Sequence, residues 1–268
     1  MNEMMVPCNS LSVTLGPLVG GGGDGGSGGS GGFDVRGALR YVADSGYRFV
    51  QLSGAIAGLR PRELGRSARR DLRARLGRMG LVISGIDLWV PSEHFEDGAQ
   101  CERAVNALKD VIELAADLGR VGVSTALPNG GEDGDGDVNG VMGEIADRAD
   151  ICGVLVTDYG DGGGEGLEMI GWGIDPAAEI LKGRDPVAEV LGNAGVGGAR
   201  FSDADGAGRV EQGLGRLDVL GYQVALVTAG YSGAVVVDLR GLGDAVGGVK
   251  RARALWEGGM GGGGGVEN

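Results

Sequence analysis

Three aspartates close strand-like runs in the last third of the sequence: GWGID ends on Asp175, ARFSD on Asp203 and AVVVD on Asp238. Carboxylates move protons and are hard oxygen ligands suited to Mg²⁺ or Mn²⁺. The three lie far apart along the chain, so any chemistry they share needs a scaffold that gathers strand ends. A barrel of alternating strands and helices does so, because side chains at the C-terminal ends of its strands converge on one mouth.

The rest of the sequence supplies such units. A weakly patterned strand near residues 5–15 precedes a helix from about Asp34 to Ser45 and a second strand, YRFVQL. Pro61 is expected to open the next helix, with Ala68, Leu72 and Leu76 on its buried stripe, since proline lacks only an N–H that the first turn leaves unused. LVISGID reads as strand three. The helix from about Asp97 to Leu118 carries Ala104, Leu108, Val111, Ile112 and Ala115 on one face at the 3.6-residue period. VGVST, ICGVLVTD, MIGWGID, GGARFSD and AVVVDL supply strands four to eight. The later helices are expected near residues 176–182, 185–192, 215–229 and 243–257.

Apolar strands alternating with amphipathic helices predict a parallel sheet covered by helices, and eight units favour closure. A chain of 268 residues suits one α/β domain, a single (β/α)8 TIM barrel spanning residues 1–268. Glycine is abundant, with 59 residues against a usual share of about 7%. It is concentrated at 20–32, 129–140, 161–166 and 258–265, which read as a flexible loop near the start, two further loops and a flexible tail over 258–268. None of these stretches forms a GxGxxG fingerprint placed between a first strand and its helix.

Charge and cysteine usage exclude several functions. A net charge of −13 opposes binding to nucleic acid or to an anionic membrane surface. Cys8, Cys101 and Cys152 are too widely spaced for a zinc site or a disulfide framework, and are expected to be reduced and mostly buried. The first residues lack the pattern of a secretory signal and no apolar run reaches membrane length, so a cytoplasmic protein is expected. The arginines of LRPRELGRSARRDLRARLGRMG surround the non-apolar circumference of their helix, as on a solvated face. EDGDGD lacks the terminal glutamate of a calcium loop.

The order of GYRFVQLSG, ELAADLG, IDPAAEILKGRDP, SDADGAGRVEQGLGRLD and GYSGAVVVDLRG resembles the xylose isomerase-like TIM barrel superfamily, which includes sugar phosphate isomerases and epimerases. The resemblance covers residues 34–257 and is most distinctive in DPAxxxxxGxDP followed by DxxGxxxxxGxGxxD. It implies one divalent cation, Mn²⁺ or Mg²⁺, held at the ends of strands five to eight by glutamate, aspartate, histidine and glutamate, with both glutamates moving protons. The corresponding positions here are Asp158, Asp175 and Asp238, with Arg200 where the histidine belongs and Asp203 as the matching acid after it. The implied metal ligands are therefore Asp158, Asp175, Asp203 and Asp238, and the implied proton carriers Asp158 and Asp238. Arg200 departs from the pattern because a guanidinium cannot ligate a metal, and Ala178 stands where a further histidine is common.

Arg200 also admits another role, offsetting the clustered carboxylates or binding an anion bidentately. His94, Trp89 and Trp172 lie at or just after strand ends and are candidate substrate contacts, although the histidine also suits a surface loop and either tryptophan also suits the core. Asp175 before Pro176 also suits a helix cap, Asp238 a strand leaving the core, and Asp158 a solvated acidic loop. Two functions follow from the resemblance. One is a sugar or sugar-phosphate isomerase or epimerase using metal-assisted proton transfer beside a carbonyl. The other is a non-catalytic barrel, with no metal, that binds a small sugar or polyol or a protein partner. The superfamily's DNA-repair endonucleases, with several histidines and a basic face, do not match one histidine and a net charge of −13.

Overall fold

The computed structural model describes residues 10–20, 32–128, 138–160, 166–193 and 195–261. Cys8 and most of the Gly-rich stretches, at 21–31, 129–137, 161–165 and 262–268, lie outside the described residues. Eight parallel strands close into a (β/α)8 barrel with helices between them. The contacts divide the chain into two compact units, Met1–Tyr47 with Ile174–Asn268, and Arg48–Gly173.

Within Arg48–Gly173 the strands are β2 (Phe49–Ser53), β3 (Val82–Asp87), β4 (Gly122–Thr125), β5 (Val156–Asp158) and the start of β6 (Ile170–Ile174). All five residues of β2 are buried, as a strand covered on both faces requires. The long helix α4 (Gly98–Asp117) is the expected one: the Asp97 side chain caps it by accepting from the Ala99 N–H at 2.9 Å. Its Leu108, Val111, Ile112 and Ala115 are at most 1% exposed.

Two local expectations shift here. Pro61 opens only a short 3-10 turn, Pro61–Glu63, and α2 (Arg66–Arg78) begins after Gly65, burying Leu72 and Leu76. The interval is held by the Glu63 carboxylate, which accepts from the Gly58 N–H and pairs with Arg60. ICGVLVTD is not one strand. Ile151 and Cys152 finish α5 (Val138–Cys152), Gly153 turns the chain at φ +60°, and β5 starts only at Val156. Ile151 is consequently 74% exposed. Cys101 and Cys152 are free thiols, half-buried rather than buried. The short α3 (Glu93–Glu96) follows β3.

The unit made of Met1–Tyr47 and Ile174–Asn268 holds β1 (Leu11–Thr14), α1 (Val35–Asp44), α6 (Pro176–Leu181), α7 (Pro186–Gly192), β7 (Val196–Phe201), a hairpin of β8 (Asp203–Ala204) with β9 (Arg209–Val210), α8 (Val219–Thr228), β10 (Val235–Val237) and α9 (Ala245–Gly261). The barrel order is β1, β10, β7, β6, β5, β4, β3, β2. β1 pairs in parallel with β10, Leu11 to Val235 through Val13 to Val237. β10 pairs with β7 through Val236 to Arg200 and Val237 to Phe201. Behind β7, Trp256 of α9 is 1% exposed and packs on Phe201 at 4.9 Å between ring centres, while the Tyr222 hydroxyl of α8 donates to the Arg200 carbonyl at 2.9 Å. Among the described residues no helix is long and apolar enough to cross a membrane.

Candidate functional site

Asp175 directly follows β6, Arg200 lies in β7 and Asp238 directly follows β10, and these strands are neighbours in the barrel. Arg200 is fully buried, Asp238 is 2% exposed and Asp175 6%. Burying an ionised group is costly unless it is paired, so what surrounds these three decides what they can do.

The Arg200 Nη1 lies 3.2 Å from Asp238 Oδ2. Two further arginines complete the cluster. Arg209, at the start of β9, donates through Nη2 to Asp175 Oδ2 and through Nη1 to Asp238 Oδ2 at 3.3 Å. Arg240, two residues beyond Asp238, donates its Nε to both Asp238 oxygens at 2.9 Å and reaches Asp175 Oδ2 through Nη2 at 3.3 Å. Its backbone N–H also donates to Asp238 Oδ1 at 3.0 Å. The Ser202 hydroxyl donates to Asp175 Oδ1 at 2.6 Å while accepting from the Ala177 N–H at 3.0 Å, which fixes the carboxylate from below. Gln212 Nε2 ties the ends of two strands together by donating to the carbonyls of Phe201 and Asp238 at 3.0 and 3.1 Å.

Three guanidiniums thus meet two carboxylates. Burial alone raises the Asp238 carboxyl, but the charge of Arg200, the hydrogen bond and charge of Arg240 and the charge of Arg209 outweigh it. They hold this group well below the ordinary carboxylate range, so it is ionised at neutral pH. Exposure sets the order of layers: the Arg209 and Arg240 side chains are 23% and 29% exposed, whereas those of Asp238 and Asp175 are 0% and 7%. A ligand arriving from solvent meets guanidinium first.

Asp203 does not join this cluster. Its Oδ1 accepts from the Ala204 and Leu217 N–H groups at 2.9 and 3.0 Å, and its Oδ2 from those of Gly213 and Gly215, both at 2.9 Å. Four amides on one buried carboxylate make it the template of the 203–217 loop. They also delay α8, expected from about residue 215, to Val219, where Asp218 caps it through the Gly221 N–H.

In the unit Arg48–Gly173, Asp158 is 3% exposed at the end of β5, and its Oδ1 accepts from the Leu127 and Gly160 N–H groups, both at 2.8 Å. Trp89 packs edge-on against Tyr159 at 5.8 Å, and Trp172 is the β6 partner of Asp158 in register. His94 is half-buried in α3. Asp87, which ends β3 at 3% exposure, and Gln51 of β2, whose Nε2 donates to Ser124 Oγ at 3.0 Å, are further buried polar groups at this end.

No family model and no curated protein matches the sequence. Solved structures do match the fold. A xylose isomerase domain protein from Planctomyces limnophilus superposes with a TM-score of 0.72 at 18% identity, over 94% of this chain and 95% of that one. An L-ribulose 3-epimerase gives 0.70 at 16% identity, over 93% and 94%. The chain has the xylose isomerase-like TIM barrel fold. A protein of this fold from Mycobacterium smegmatis, solved in complex with magnesium, gives 0.67 at 17% identity, over 96% and 98%.

The residues at these strand ends do not suit a divalent ion in the manner of an oxygen-ligand cage. A cation needs lone pairs aimed at it; here Asp175 and Asp238 direct theirs at Arg200, Arg209, Arg240 and Ser202. Among the described residues no three His, Cys, Asp or Glu side chains gather into a metal-holding group. Arg209 and Arg240 were not apparent in the sequence as site residues. The available signal was position alone, Arg240 two residues past a strand-end aspartate and Arg209 beyond the glycines of DGAG.

Proposed function

We propose that this protein binds a small sugar or polyol in the xylose isomerase-like fold without a divalent ion and without interconverting its ligand. The observation that carries this reading is the covering of Asp175 and Asp238 by Arg200, Arg209 and Arg240. A metal that polarises a carbonyl must displace three cations and reclaim the lone pairs they occupy, against Coulomb repulsion that a poorly solvated site amplifies. Asp238 is equally ill suited to moving protons, because an efficient general base has a pKa near the working pH and this carboxylate is held far below it. His94, Trp89 and Trp172 are candidate substrate contacts within the unit Arg48–Gly173.

The neighbours' names favour a second reading, a sugar isomerase or epimerase of the same fold. One experiment separates the two. Divalent-metal content of the purified protein is measured, followed by thermal shift with Mn²⁺, Mg²⁺ and Co²⁺ and a turnover screen of ketoses and aldoses by chromatography. The binding reading expects no stoichiometric ion, no metal-dependent shift and no interconversion. One ion per chain, or a metal-dependent epimerisation, overturns it; turnover without metal selects the second reading.

A further inference from the structure

We propose that the outer face of α7 and α8 is the surface through which two copies of this chain pair. The proposal goes beyond the ligand reading above and does not depend on it. Eight large apolar side chains are exposed among the described residues, and six of them fall between Leu181 and Val227. Four lie on two helices packed side by side: Leu191 of α7 is 55% exposed, and Leu220, Val224 and Val227 of α8 are 54%, 56% and 51%. The α8 residues recur at i, i+4 and i+7, the spacing of one stripe along a helix.

This stripe is not the one that holds α8 to the barrel. Tyr222, Gln223, Ala225 and Leu226 are buried on the other side, where Gln223 Nε2 donates to the Trp256 carbonyl of α9 at 2.9 Å. A helix on the outside of a soluble barrel needs one apolar side and turns polar groups to water, whereas a helix apolar all round is covered on both sides. Other helices of the molecule keep to that rule. α4 exposes Glu102, Arg103, Asp110 and Glu113, and α2 exposes Arg66, Arg70 and Arg73. α8 contains no Asp, Glu, Lys or Arg. Val224 and Val227 are also poor choices for a solvated helix face, because β-branched side chains lose χ1 freedom in a helix and recover that cost by packing.

Charge selects the occupant. At a net charge of −13 two copies repel each other, and a two-fold interface sets one patch against itself, so any excess charge in it meets its own sign. A face built on α8 avoids that repulsion, and α7 brings to it only the half-buried Glu189 as an ionisable side chain. A different protein would be recognised through charge complementary to its own, which α8 does not offer. The face is on the order of several hundred Å² per copy, the low end for specific interfaces, which suits a reversible dimer rather than an obligate one.

The test is sedimentation velocity of the wild-type protein at concentrations from about 1 to about 200 μM, the range in which a reversible dimer dissociates. The average mass rises from that of one chain toward that of two. Added sodium chloride, which screens the repulsion between acidic chains, does not weaken the association. Val224→Glu and Leu220→Lys each weaken it at least about tenfold, with circular dichroism and thermal midpoint unchanged. Ile151→Lys, at an exposed apolar position on α5, leaves it unaltered. Where an α8 variant does not fold, hydrogen exchange of the wild type decides, with amides slowed at high concentration falling in residues 186–192 and 219–228. The mass of one chain across the whole range overturns the proposal. So does association that salt weakens, that both α8 variants leave intact, that Ile151→Lys weakens equally, or whose protected amides lie in other segments.

Discussion

Aspartates in or next to strands meet two different surroundings in this molecule. Asp203 accepts from four backbone amides, and Asp158 accepts from those of Leu127 and Gly160. Asp175 and Asp238 are held mainly by guanidinium groups. Amides add no net charge, and at Asp203 they organise the 203–217 loop. Guanidiniums add full charges, and they hold the Asp238 carboxyl well below the ordinary range. Residue type is the same in both; the donors differ.

The comparison breaks most directly at Asp238. Asp238→Asn removes the carboxylate that pairs with the fully buried Arg200, and loss of one member of a buried pair costs about 3–5 kcal/mol. Urea unfolding monitored by tryptophan fluorescence measures it, and a loss below about 1 kcal/mol denies that the cluster is electrostatically coupled.

Asp203→Ala removes a charged acceptor from four amides but leaves no buried cation behind, so a smaller loss of about 3 kcal/mol is expected. Hydrogen exchange should locate the damage in residues 203–217. Protection lost evenly over the whole molecule would contradict a loop template.

Acid provides the next test. The folded-state pKa of Asp238 lies below its ordinary value of 3.8, so its ion-pair stabilisation is complete above about pH 4 and is lost as pH falls further toward the folded value. Wild-type stability should therefore fall more steeply than that of Asp238→Asn below pH 4. Parallel slopes would show that this carboxyl does not have a depressed pKa.

The smallest effect belongs to a guanidinium–carboxylate pair at the surface. Arg253 donates to Glu257 at 2.7 Å with side chains 35% and 58% exposed, and Glu257→Gln should change stability by about 0.5 kcal/mol or less. A cost matching that of Asp238→Asn would mean that burial is not what separates the inner cluster from ordinary ion pairs.

The barrel was legible because its signals are periodic and local. α4 carries its apolar face at helical spacing, and the strands end where apolar runs turn acidic. The positions of Asp175, Arg200 and Asp238 at neighbouring strand ends follow from that rhythm. What surrounds them does not. Arg209 reaches an aspartate 34 residues away, and in sequence an arginine in a polar loop reads the same whether it meets solvent or a buried acid. In sequence Asp203 looks like the other acids, because nothing in SDADGAGRVEQGLGRLD announces that the amides of Gly213, Gly215 and Leu217 turn back onto it. The end of α5 is hidden in the sequence for a related reason: ICGVLVTD is β-branched enough to suggest one strand, but Gly153 at positive φ sets where the helix stops.

The pairing of β1 with β10 has a consequence for how the chain is made. Leu11 finds its partner in Val235, more than two hundred residues later. At roughly 5–20 residues per second of synthesis, β1 waits at least about ten seconds, and up to about forty, before that partner leaves the ribosome. During that time the buried side chains of β1 and its unpaired backbone edge are open to other chains. Chaperone depletion should therefore lower the yield of nascent protein more than it lowers recovery on refolding of the finished polypeptide.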